Sequence, residues 1–189
     1  MDKKKYEEFV CNYKKSTLQQ FSHYKMLADC SFTQLENDLF FQKQTKNGNS
    51  IAHIIQHVAG NIISRWTDFL TTDGEKENRK RDQEFEDIVQ SKEELIEIWE
   101  LAWECLFKEL KQLEIKDWDT TVYIRKEAHT VLEAINRQLA HCSYHIGQIV
   151  FYSKLILGED WTPLSIPRGE SEKYKKNTFI FPNSEKKQL

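Results

Sequence analysis

Apolar residues recur at helical spacing through four long stretches of the chain, separated by polar segments. The first stretch runs from Lys3 to about Cys30, with Phe9, Val10, Tyr13, Phe21, Tyr24 and Leu27 spaced for one face. A short piece over Thr33–Phe41 is predicted helical and gives way to a polar loop, Lys43–Asn49. Asn47-Gly48-Asn49-Ser50 is turn chemistry ending in a cap-type residue, which predicts a second helix from Ser50 to about Leu70. At about 100° per residue, Ile51, Ile54, Ile55, Val58, Ile62, Trp66 and Phe69 fill one arc of that helix. His57, Asn61 and Asp68 lie at the edge of the arc, and His53 falls further round, toward solvent.

The segment Thr71–Gln90 is rich in charge and poor in apolar residues, so it is predicted to be a long loop, either functional or mobile. Ser91-Lys-Glu-Glu94 has the form of a capping box and opens a third helix carrying Leu95, Ile98, Trp99, Ala102, Leu106 and Leu110. Thr120–Ile124 is β-branched and aromatic, suiting a brief strand or an extended connection. A second capping box, Thr130-Val-Leu-Glu133, starts a fourth helix that Gly158 is placed to stop. Its buried arc is Val131, Ile135, Leu139, Ile146, Ile149 and Val150, with Gln138, His145, Gln148 and Tyr152 at the edge and His141 just beyond. The tail after Gly158 holds Pro163, Pro167 and Gly169 and is predicted irregular. The pattern predicts an all-α fold: one domain over residues 1–189, a four-helix bundle with a long loop after the second core helix and the tail 158–189 packed on it.

Composition agrees. The 189 residues include only 6 Gly and 3 Pro, and Leu, Ile, Glu, Lys and Gln abound, which favours helix. A formal net charge of −3, with no basic stripe interleaved with aromatics, argues against nucleic acid as a partner. No window approaches the ~20 apolar residues of a membrane span, and the N-terminus lacks the apolar core of a signal peptide, so the expectation is a cytoplasmic protein. Cys11, Cys30, Cys105 and Cys142 stand singly and are expected to be reduced, with Cys142 in the core.

The candidate chemistry lies in His141-Cys-Ser-Tyr-His145. Two histidines four apart on a helix share a face, so their imidazoles can converge on one ion. His57 on the second helix supplies a third, and three histidines with an open fourth position make a catalytic type of metal site. Zinc, nickel, manganese and iron all accept such a donor set. Asn61, Gln138 and Gln148 are candidates to orient the imidazoles or a bound ligand, and Arg65 and Asp68 are candidates for the mouth of the site. His23, His53 and His129 are expected to take no part. The plain alternative is that the histidines are solvated polar residues along a bundle seam.

The segments Asn49–Ile62, Arg65–Gly74 and Arg137–Ile149 resemble the DinB-like superfamily, and within it a subgroup of small bacterial proteins whose tails look like Leu164–Ser171. The HxxxH-x-GQI segment joined to an upstream His-Val-Ala carries most of the likeness. The resemblance implies an up-down-down-up four-helix bundle, frequent homodimers, and a metal site whose ligand positions match His57, His141 and His145. For characterised relatives it implies thiol-dependent transferases or isomerases using bacillithiol, mycothiol or glutathione. The expected function is therefore metal-dependent S-transfer from a low-molecular-weight thiol to a small-molecule electrophile. The alternative is a non-catalytic, metal-stabilised bundle acting as a binding or stress-response protein. A homodimer is also expected from the aromatics of the first and third helices (Phe9, Tyr13, Phe21, Tyr24, Trp99, Trp103 and Phe107), which exceed what one apolar stripe needs.

Overall fold

Local sequence signals set several helix ends. The computed structural model of the chain describes residues 2–173. Its main elements are α1 (Lys3–Phe32), α2 (Ile51–Trp66), α3 (Lys92–Gln112), β1 (Thr121–Ile124), β2 (Glu127–Thr130) and α4 (Val131–Leu157). Ser50 caps α2 by accepting from the His53 N–H at 3.3 Å. Thr130 and Glu133 form the reciprocal box at the start of α4. Ser91 accepts from the Glu94 N–H at 3.2 Å, one half of the expected box. Gly158, at φ 56°, ends α4 in a conformation that a side chain would strain.

Contacts between the helices fix their directions. The Tyr13 hydroxyl donates to Asn136 at 2.5 Å, and Gln34 exchanges two hydrogen bonds with the backbone of Thr162; α1 and α4 therefore run parallel. Lys14 reaches the Lys111 carbonyl, Lys25 reaches Glu100, and the Trp99 indole donates to Asp29 at 2.9 Å, so α1 and α3 are antiparallel. Gln56 accepts from the Val89 N–H and Thr67 touches Cys105, which sets α2 parallel to α3. His57 meets His141 while Tyr152 donates to the Gln42 carbonyl, so α2 and α4 are antiparallel. Between them the helices bury Phe21, Ile51, Ile55, Ile62, Trp66, Leu95, Trp99, Trp103, Leu106, Ile135 and Ile149.

The structure corrects several expectations. Only Asn37–Phe40 of the short second piece is helical, as one 3-10 turn. Helix α2 stops at Trp66, not Leu70, and Asp68 adopts φ 51° in the turn that follows. A second strand joins the β-branched stretch in an antiparallel hairpin, with Thr121 opposite Thr130 and Ile124 opposite Glu127. Its tight turn puts both Arg125 and Lys126 at positive φ, where glycine or asparagine is usual. Asp73 offsets that strain by accepting the Arg125 and Lys126 N–H groups at 2.8 and 2.7 Å. Gly74 lets the two backbones meet, its N–H donating to the Tyr123 carbonyl at 2.8 Å; a Cβ there would lie 3.3 Å from Ile124. The hairpin is thereby pinned to the segment just beyond α2.

His53 does not face solvent. It is 2 % exposed, its Nδ1 accepts from the Ser50 N–H, and its Nε2 lies 2.9 Å from Asp87. Of the aromatics counted as surplus, Phe21, Trp99 and Trp103 are buried in this chain's own core, Tyr13, Tyr24 and Phe107 pack partly buried against it, and Phe9 stays 48 % exposed. Three further exposed apolar side chains, Tyr144, Phe151 and Leu155, lie on α4. Beyond α4 the tail is irregular but for single 3-10 turns at Gly158–Asp160 and Ser171–Lys173; the part of the expected tail after 173 lies outside the described residues. Among the described residues no helix is long and apolar enough to cross a membrane.

Candidate metal centre

His57 on α2 and His141 and His145 on α4 converge because the antiparallel helices present facing edges. Their candidate ligand atoms all lie within 4.8 Å of one another, and among the described residues they form the cluster placed to hold an ion. The Nε2 atoms of His57 and His141 are 3.1 Å apart. Two ligands on one tetrahedral zinc, each about 2.0–2.1 Å from it, stand roughly 3.3 Å apart, so this pair needs little adjustment. Without an ion, two such nitrogens must share a proton or set lone pair against lone pair.

The outer nitrogens support the same polarity. His57 Nδ1 lies 2.8 Å from Glu84 Oε2, and His145 Nδ1 lies 3.1 Å from Gln148 Oε1. Both partners are acceptors, so each Nδ1 carries the proton and each Nε2 lone pair is left free, the arrangement typical of metal-bound histidines. His141 Nδ1 is buried and has no hydrogen-bond partner. Burial first, then the neighbouring His145 and His57 and the cations Arg65 and Arg79, holds His141 down to about 3. Burial also lowers His145, with His57 adding to it. These two rings therefore stay neutral, the form that binds metal.

Glu84 comes from the segment Thr71–Gln90, read from the sequence as a long charged loop, functional or mobile. A 3-10 turn, Arg81–Phe85, lays part of that loop over α2. Arg79, nearly buried, grips Glu84 with two parallel bonds, Nε to Oε1 at 2.8 Å and Nη2 to Oε2 at 2.9 Å. Burial alone would raise the Glu84 carboxyl, but the bonds to His57 and Arg79 outweigh it and hold it below its ordinary range. Phe85 stacks on the His57 ring at 4.8 Å. Gly60, one turn beyond His57, makes room: a Cβ there would fall 2.5 Å from Glu84 Oε1.

The three rings open into a cleft of about 480 Å³. Of the candidate residues, Asn61 lines this cleft, with its Oδ1 buried and unpaired, and Gln148 lines it as well, its Oε1 3.1 Å from His145 Nδ1. Arg65 also reaches the cleft. Gln138 does not: its amide donates to the Cys142 sulfur at 3.3 Å, inside the core. Burial drives that thiol up to about 12, and Cys142 is structural. Asp68 is exposed and borders a separate cavity between α2, α3 and the loop. Sequence reasoning missed Glu84 and Arg79. The signals for them were Phe85, a lone aromatic in a polar stretch, and Gly60 in the interior of α2.

No curated protein matches the chain. A family described as a protein of unknown function, DUF1572, matches residues 8–170, a span that includes all four long helices apart from the first residues of α1. The chain belongs to the DUF1572 family.

Proposed function

We propose that the chain is a divalent-metal-dependent enzyme of the DinB-like type, an up-down-down-up bundle that transfers a low-molecular-weight thiol to an electrophile. The observation that carries this is the donor set: three converging imidazoles, His57 and His141 with Nε2 facing each other and His57 and His145 held by acceptors on Nδ1, facing a cleft with no fourth protein ligand among the described residues. A structural site usually closes with four protein ligands, whereas a catalytic one keeps a position open. A divalent ion on three neutral imidazoles would stay positively charged and would lower the pKa of a thiol or water entering that open position.

The chain's own residues would do the rest. His57, His141 and His145 would hold the ion, while Glu84 and Gln148 fix the tautomer and tilt of two of them. Arg79 keeps Glu84 ionised and in place, and Phe85 shields the His57 ring from water. Asn61 offers a buried, unsatisfied carbonyl oxygen at the cleft wall to a donor on a bound molecule. Zinc, nickel, manganese and iron each suit the donors.

The test incubates metal-loaded, tag-free protein with bacillithiol, mycothiol and glutathione against a panel of electrophiles. Conjugation that disappears in His141→Ala is the expected result. Full metal occupancy with no conjugation from any of the thiols would refute the transferase and favour the non-catalytic, metal-stabilised bundle.

A further inference from the structure

The chain contains six arginines and has a net charge of −3, yet four of the six, Arg65, Arg81, Arg125 and Arg137, line the histidine cleft, and a fifth, Arg79, braces its wall through Glu84. None of the far more numerous lysines lines it. A solvated surface has no reason to sort the two cations in this way. A guanidinium differs from an ammonium in its flat fork of donors, which matches a carboxylate or phosphate two bonds at a time.

Arg65 is the most telling. It is half-buried, its Nη1 is shut off from solvent without a partner, and it donates no hydrogen bond to any of the described residues. Burial first, then Arg137 and Arg79, pulls it down to about 10. A desolvated charge crowded by like charges is costly, and the nearest relief, Glu75, already takes Arg125 at 3.1 Å and Arg79 at 3.3 Å. Arg137 stands one turn before His141 on α4, about 6 Å along the helix. Because α2 runs antiparallel to α4, Arg65 comes to that same end of the cleft, and the pinned hairpin turn brings Arg125 there as well. Tyr144 lines the cleft too, packed edge-on against His145 at 4.9 Å.

We infer that the cleft binds a small polyanion, with carboxylate or phosphate groups held by Arg65, Arg125 and Arg137 at one end of the cleft that the three histidines line. The inference deepens the proposed function by naming the charge class of its substrate or thiol. It rests on that function only in taking the cleft as the way in to the histidines.

Calorimetric titration with citrate and with inorganic phosphate, at constant ionic strength, tests it on the metal-loaded protein and on the chelator-stripped protein. Saturable binding of either probe to both forms is expected, weakened at least tenfold in Arg65→Gln and in Arg137→Gln. Arg137 is exposed, so its variant should fold even if the Arg65 variant does not. Arg65→Lys should fail to restore affinity if the fork matters. Two results overturn the inference: no saturable binding of either probe up to 10 mM, or binding that survives both glutamine variants and vanishes on chelation, which would place the anion on the metal alone. Metal content measured on the same samples separates these outcomes from failure of the metal site itself.

Discussion

Glu84 Oε2 sits 2.8 Å from His57 Nδ1, across 27 positions of sequence. That bond is what turns the His57 Nε2 lone pair toward His141 and His145. Replacing the carboxylate by an amide keeps the volume but leaves a weaker, neutral acceptor and removes one of the two hydrogen bonds that Arg79 donates. Glu84→Gln is expected to weaken metal binding by about 10–100-fold, the usual effect of losing such a supporting partner. Competition against a fluorescent zinc chelator measures it. Unchanged affinity would mean that Glu84 serves only to fasten the loop.

Gly60 gives a paired test of the same contact. Alanine is preferred to glycine inside a helix by roughly 1 kcal/mol, so Gly60→Ala would ordinarily stabilise α2. Here the added methyl group meets Glu84 Oε1 at 2.5 Å and Cδ at 3.0 Å. Gly60→Ala should therefore lower metal affinity with little or no gain in melting temperature. In a Glu84→Ala background, where the obstacle is gone, the same substitution should raise the melting temperature. A Gly60→Ala protein that is more stable and binds metal normally would show that the loop lies elsewhere.

The depressed histidines set an acid limit on stability. In the unfolded chain their rings take up protons near pH 6.5; in the fold burial holds His145 lower and His141 down to about 3. Between about pH 6.5 and 3 the unfolded state thus binds more protons, and stability falls as pH falls through that window. Above it this contribution is flat. Melting curves of chelator-treated protein should decline from pH 7 to 5, before carboxylates such as Glu84 begin to titrate, and His141→Gln should flatten the decline. A melting temperature constant over that range would contradict the burial of these rings. Protons compete for the same nitrogens, so stabilisation by added metal should also fade below about pH 6.

His53 serves as the control. It closes the cap of α2 with Ser50 and reaches Asp87, and it is no member of the triad. His53→Ala should cost about 2 kcal/mol in denaturant unfolding, from the lost cap and a buried cavity, with metal content per folded chain unchanged. Loss of the metal in this variant would reassign the ligand set.

What was legible in the sequence was local. Ser50, Thr130-Glu133 and Gly158 mark ends of α2 and α4 through hydrogen bonds and backbone geometry spanning a few residues. The i, i+4 pair His141 and His145 and the arc position of His57 put the triad within reach of sequence periodicity alone. Glu84 was not legible, because a 3-10 turn in a charged loop has no periodicity and its partner lies on another element. His53 was misplaced because a helical wheel ranks only the helix's own apolar arc, whereas Asp87 and the loop cover the far side of α2. Three of the aromatics of α1 and α3 were misjudged for a related reason. Each helix buries side chains against more than one neighbour, so Phe21, Trp99 and Trp103 fill a core wider than a single stripe.

The central claim is that His57, His141 and His145 hold one divalent ion. Elemental analysis of protein purified without an affinity tag, loaded with metal and then desalted, tests it most directly. The wild type and His53→Ala should each retain one ion per chain, and His57→Ala, His141→Ala and His145→Ala should each retain almost none while keeping their helical circular dichroism. A wild-type protein with no more metal than its His141→Ala variant would contradict the account.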